Sequence, residues 1–216
     1  MTQTAPLAAP GWKDPFAPVD HPLGRRIAIV GSGGKTTLAR ALGVRLGLPV
    51  IELDALFWLP GWQESSVEDF REKVARAMAE APGGWVVDGG YTGSLGDLVL
   101  RQADTVVWLN MPWRVMFWRI LLRTLRRAWD KERICGDNYE SWRQAFFSRK
   151  SILWWHIREP GHYRRQGLKL ALRVPPGTPV VRLSSARELE RFYEANGLAR
   201  PWRMAGRGLT RDEMRS

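Results

Sequence analysis

Seven consecutive residues, Gly31-Ser32-Gly33-Gly34-Lys35-Thr36-Thr37, carry the most readable chemistry in this chain. Glycines permit a tight turn and keep side chains out of an anion's path. A helix starting at the lysine presents unpaired N–H groups and a partial positive charge. Lys35 would add a full charge toward β- and γ-phosphates, and Thr36 a hydroxyl for Mg²⁺. Gly31, Ser32, Gly33, Gly34, Lys35, Thr36 and Thr37 are thus the expected nucleotide-binding set. The common spacing, G-x-x-x-x-G-K-[ST], would need a glycine where Ile29 stands, so this loop is two residues short of it. A glycine-rich strand-to-helix turn with a surface lysine is the plain alternative.

Two carboxylates follow apolar runs. Asp88 closes Trp85-Val86-Val87-Asp88 and would hold Mg²⁺ together with Thr36, directly or through water. The alternative is a strand-end Asp bonding a turn N–H. Asp54 closes Val50-Ile51-Glu52-Leu53-Asp54 and would orient or deprotonate an acceptor hydroxyl. It could equally be a turn or helix-capping Asp ahead of Ala55. Arg119, Arg123 and Arg127 recur every four residues, on one helical face, with Arg126 beside them. A transferring phosphoryl group spreads charge over three equatorial oxygens, which guanidinium forks suit. Arg123 and Arg127 are the best candidates for that catalytic role. Basic side chains that merely cover a helix are the alternative.

These groups need a scaffold. Arg25–Val30 reads as a buried strand and Leu38–Leu46 as a helix with apolar residues at helical spacing. Ser65 with Glu68 has the form of a capping box before a helix over about 66–81. Thr105–Asn110 and Pro179–Leu183 read as further strands, and Ser185 with Glu188 as the cap of a last helix. Strands alternating with helices predict an α/β chain with a five-stranded parallel sheet and helices on both faces. Ligands of such sheets sit beyond the strand carboxyl ends. The glycine loop, Asp54 and Asp88 all fall there. The aromatic residues Phe57, Trp58, Trp62 and Tyr91 flank the expected acceptor pocket, for stacking on a ring or for packing.

The formal net charge of +11 is concentrated. From Arg101 to Val174 there are 16 Lys+Arg against 6 Asp+Glu. Such a surplus implies an anionic partner. Hydrophobic content of 44% is ordinary for a globular domain. The single cysteine, Cys135, excludes an internal disulfide framework and a cysteine-rich zinc site. Residues 1–23 lack a basic start followed by an apolar stretch, and no run of about 18 apolar residues occurs, so a cytoplasmic location is expected. The expected organisation is a flexible leading segment over 1–23 and a main domain over 24–197. A lid insertion falls at about 129–160, and a mobile basic tail spans 198–216.

Several segments together carry a family resemblance: Lys35-Thr36-Thr37-Leu38-Ala39-Arg40, Leu53-Asp54-Ala55-Leu56-Phe57-Trp58, Pro60-Gly61-Trp62, Val87-Asp88-Gly89-Gly90-Tyr91 and Ala103–Leu109. With Cys135–Trp142, which looks like a lid, they resemble the small P-loop nucleotide-kinase-like proteins described as adenylate-kinase-related or DNA topology modulation proteins. That group more often has Asp-Gly-Asn-Tyr where this chain has Asp-Gly-Gly-Tyr, and two more residues before the lysine. The resemblance implies a three-layer P-loop NTPase fold of the nucleoside-monophosphate-kinase type with a helical lid. The expected activity is Mg²⁺-dependent transfer of the ATP γ-phosphate to a small-molecule or nucleotide acceptor. The alternative is a nucleic-acid-binding P-loop protein with weak or lost kinase activity, its arginines gripping phosphates between stacking tryptophans. A third reading, a membrane-surface helix over about 113–129, lacks a clean apolar face.

Overall fold

In the computed structural model, a run of β-branched and small apolar residues, Arg26–Ser32, forms the central strand β1. The structure describes residues 16–118, 121–122, 133–134, 138–139, 162–171 and 173–199. The main sheet has five parallel strands: β1, β2 (Val50–Glu52), β5 (Trp85–Asp88), β6 (Thr105–Asn110) and β9 (Val180–Leu183), in the order β2-β5-β1-β6-β9. Two small antiparallel hairpins complete the strands among the described residues. One pairs β3 (Trp58–Leu59) with β4 (Gln63–Glu64), the other β7 (Arg133–Ile134) with β8 (Asn138–Tyr139).

The sheet is covered on both faces, which is why its strands read as continuous apolar runs instead of alternating ones. Along β1, Ile27 and Ile29 point to one layer, where they meet Leu38, Ala39 and Leu42 of helix α1 (Lys35–Leu46). Leu189, Phe192 and Tyr193 of α6 (Ala186–Ala195) lie in the same layer. Ala28 and Val30 point the other way, toward Phe70, Val74 and Met78 of α3 (Val67–Ala79) and Leu170 of α5 (His162–Ala171). Ile27 and Ile29 are wholly buried, and each contributes about 2 kcal/mol by removal from water.

Two short helices sit at the strand ends: α2 (Leu53–Phe57) after β2 and α4 (Thr92–Leu95) after β5. The sequence reading carried β2 on to Asp54. The strand stops instead at Glu52, where its pairing with Asp88 of β5 ends, and Asp54 falls in the first turn of α2. The cap of α3 is Ser66, whose hydroxyl accepts from the Asp69 N–H, and not Ser65 with Glu68. Ser65 is buried one position earlier and donates its own hydroxyl to the Asp69 carboxylate. The Ser185 cap on α6 stands as expected.

Residues 16–23, read as part of the leading segment, are tied to the sheet. The Ala17 N–H donates to the Val180 carbonyl at 2.9 Å, and Ala17 bridges to Val181. Phe16 packs 5.6 Å from the Trp108 ring, with the Arg182 guanidinium 4.3 Å above its own. Most of the expected lid over 129–160, and residues 1–15 and 200–216, lie outside the described residues. Among the described residues no helix is long and apolar enough to cross a membrane.

Candidate functional site

The mouth at the carboxyl ends of β1, β5 and β2 is built from short connections. Strand β1 continues through Gly31 and Ser32, which pair with Leu109 and Asn110 of β6. Gly33 and Gly34 alone then join strand to helix. Gly31 has φ +94, and a Cβ there would lie 2.1 Å from the Leu109 carbonyl oxygen, so no other residue fits. Gly34 is the cap position of α1. No side chain caps that helix, and its first turn contains no acidic residue. Lys35, Thr36 and Thr37 therefore open a helix whose N-terminal amides and dipole face no competing protein anion within their own turn.

Asp88 ends β5, immediately beside β1. The Thr36 hydroxyl donates to its Oδ2 at 2.6 Å. Asp88 is 7% exposed, and its Oδ1 is buried without a hydrogen-bond partner among the described residues. Burial pushes the Asp88 carboxyl above its ordinary range. Lys35 and the Thr36 hydroxyl pull it back down, while Asp54 and Glu52 push it up again. A buried carboxylate with an unsatisfied oxygen is costly unless a cation or donor meets it. One carboxylate and one hydroxyl form a donor set that would suit a hard, oxygen-preferring cation such as Mg²⁺. Among the described residues no group of three or more His, Cys, Asp or Glu could hold a metal ion on its own.

Asp54 lies on the β2 side of this mouth and is exposed. Its Oδ1 accepts the Tyr91 O–H at 2.6 Å. Tyr91 follows Asp88 by three residues, so one strand end supplies both the buried carboxylate and the group that holds the exposed one. Glu52, between them, accepts from Arg40 Nη2 at 2.8 Å and Nε at 3.0 Å, tying β2 to α1. Phe57 packs against Phe70 at 5.1 Å and Tyr91 at 4.8 Å between ring centroids, and Trp58 stands 5.6 Å from Trp62.

The structure thus brings Gly31 to Thr37, Asp54 and Asp88 to one mouth. Arg123 and Arg127, expected there as catalytic groups, lie outside the described residues, as do Arg119 and Arg126. Sequence reasoning missed the hydroxyl of Tyr91 as a partner for Asp54, because the two lie 37 positions apart. It also missed Glu52 as the strand-end carboxylate. No protein-family model matches the chain, and a search of curated proteins finds no match.

Proposed function

We propose that the protein is a Mg²⁺-dependent phosphotransferase of the P-loop type. It moves the γ-phosphate of ATP to a small-molecule or nucleotide acceptor on a nucleoside-monophosphate-kinase-like fold. The observation that carries this reading is the coupling of Thr36 to Asp88, at 2.6 Å, across the ends of two adjacent central strands and under an uncapped helix N-terminus. A structural Asp would have no use for a buried, unpartnered oxygen.

Thr36 and Asp88 would hold Mg²⁺, which when bound supplies charge to the phosphate oxygens. The first-turn amides of α1 orient the phosphate chain, and Lys35 neutralises it. Asp54, on the far side of the mouth, takes the acceptor's proton. Arg123 and Arg127 would supply further charge to the transferring group. Gly33 and Gly34 make a shorter cradle than the common loop offers, so Lys35 and the cation carry a larger share of the binding.

The test uses the 12 tryptophans as reporters. Mg²⁺·ATP should quench their fluorescence, and ADP release should fall about 10²–10³-fold in Lys35→Ala, the usual scale for losing one charge-stabilising group. ADP release unchanged by that substitution removes the mechanism. The charge of +11 favours one competing outcome, retention on DNA or RNA that weakens with salt and ignores ATP.

A further inference from the structure

The acceptor is the open part of that reading, and the β2 side of the mouth is specific enough to describe it. Tyr91 fixes one oxygen of Asp54, while Asp54 Oδ2 has no hydrogen-bond partner among the described residues. The geometry behind this pair is enforced. Gly89, just past Asp88, has φ +143, and a Cβ there would lie 2.8 Å from Leu53 Cβ. The chain leaving β5 is thereby pressed onto the residue that precedes Asp54, and Tyr91 is carried across it. Phe70, fully buried, anchors the Tyr91 ring at 5.2 Å.

The rim is aromatic and strained. From Phe57 the chain makes the β3–β4 hairpin and returns, the Ser65 N–H donating to the Phe57 carbonyl at 2.9 Å. Its tip is Pro60–Trp62, where Trp62 is held at φ +59, left-handed backbone that a bulky residue rarely adopts. Such outliers concentrate where a side chain must be aimed. Strand β8 of the second hairpin comes within 8 Å of this tip, Cα to Cα, so two hairpins meet over the same place.

The charge of the pocket narrows the ligand. Among the described residues, the charges felt at Asp88 are those of Lys35 on α1, Asp54 on α2 and Glu52 on β2. Arg40 is taken by Glu52, and on α3 Lys73 and Arg76 are taken by Asp69 and Glu72. Carboxylates beside indole and phenol rings suit a neutral molecule better than a second phosphate.

We propose that Asp54, Tyr91 and the Trp58–Trp62 hairpin form the acceptor subsite, that it takes an uncharged hydroxyl carried on a flat ring, and that Tyr91 is a positioning residue for Asp54. This rests on the phosphotransferase reading. In the step, the acceptor oxygen bonds to the γ-phosphorus, and the bond from that phosphorus to the bridging oxygen breaks. ADP leaves with the electron pair. The hydroxyl proton passes to Asp54 Oδ2 and then to water.

The test incubates the full chain with Mg²⁺·ATP and separate probes: thymidine and pyridoxine as neutral ring alcohols, AMP as a charged ring, glycerol as an alcohol without one. At least one ring alcohol should raise ADP release about tenfold over hydrolysis, and AMP and glycerol should not. Stimulation by AMP or glycerol alone, or by none, overturns the acceptor class. Tyr91→Phe keeps the ring cluster and removes only the O–H. It should lower kcat about tenfold with KM for ATP unchanged, the scale of one charge-assisted hydrogen bond. An unchanged kcat, or a rise in KM for ATP that matches the fall in kcat, overturns the positioning role. Trp62→Gly should raise KM for the ring alcohol about tenfold without lowering thermal stability, since glycine accepts the left-handed backbone. An unchanged KM overturns the rim's role in binding. Absence of Lys35-dependent quenching by Mg²⁺·ATP would instead defeat the phosphotransferase reading itself, a result these variants cannot mimic.

Discussion

Two hydroxyl-to-carboxylate hydrogen bonds sit at neighbouring strand ends, both 2.6 Å long: Thr36 to Asp88 and Tyr91 to Asp54. Their surroundings differ. Asp88 is buried, with one oxygen unsatisfied among the described residues and its carboxyl pushed up by desolvation. Asp54 is exposed at the rim. The same contact therefore does different things. At Asp88 the hydroxyl only partly relieves a buried charge, and the proposed mechanism gives the rest of that task to a cation. At Asp54 the solvent already satisfies the charge, and the hydroxyl fixes direction. In the proposed mechanism, burial, more than the bond itself, separates the cation holder from the proton acceptor.

The largest expected effect comes from removing the charge at the buried member. Asp88→Asn keeps the shape and an acceptor for Thr36. It should abolish quenching by Mg²⁺·ATP and cut ADP release about 10²–10³-fold. It should also stabilise the ligand-free protein at neutral pH by about 1 kcal/mol, or about 2–4 °C in Tm for a chain of this size. The sign follows from the raised carboxyl. The folded state binds the Asp88 proton more tightly than the unfolded state, so wild-type stability falls as pH rises through the folded value. The advantage of Asp88→Asn should thus shrink as pH is lowered toward the unfolded value of 3.8. Melting curves across pH read this directly. A variant less stable than wild type at neutral pH would mean that Lys35 and Thr36 fully compensate the charge.

How much of this was legible follows the same physics. Strands β1, β5, β6 and β9 lie in a sheet buried on both faces, so they show as apolar runs without any partner being known. The caps of α3 and α6 are local, and a serine three residues before an acidic residue announces each to within one position. The glycine-rich turn was visible because glycine, lysine and threonine occur together. Its true extent was not, since whether Gly31 and Ser32 join the strand depends on Leu109 and Asn110, far along the chain. Helix α2 was hidden because Leu53–Phe57 continues the apolar character of β2 for five residues, too few to show a helical period. The Tyr91–Asp54 bond was hidden for a different reason. It depends on Gly89 packing against Leu53, a contact with no local pattern.

That contact supplies the next test. Gly89→Ala places a methyl against Leu53 and puts an L-residue at φ +143. A cost of about 1–3 kcal/mol in stability is expected. Transfer should fall by up to about 10²-fold through displacement of Tyr91 from Asp54. Mg²⁺·ATP affinity should fall far less, because Thr36 and Asp88 lie on the strand side of the glycine. Equal losses in transfer and in nucleotide binding would show that the two carboxylates move as one unit and that the comparison above divides what the protein does not.

The smallest effect probes the charge that lies between the pairs. Arg40 holds Glu52 in an ion pair that is largely open to solvent on the Arg side. Arg40→Ala should therefore cost only about 0.5 kcal/mol. Its functional effect has a distinctive form. Freed from its partner, Glu52 adds negative charge beside Asp88, to which it is register-paired. That charge should raise KM for Mg²⁺·ATP about twofold at low salt, by repelling the phosphates. Salt at about 1 M compresses the screening length to roughly 3 Å, so the difference from wild type should vanish there. The loss in Gly89→Ala is steric and should persist at any ionic strength. If instead the Arg40→Ala effect resisted salt, Glu52 would be acting by moving β2 and Asp54 with it, and the electrostatic and positional roles of the mouth would no longer be separable.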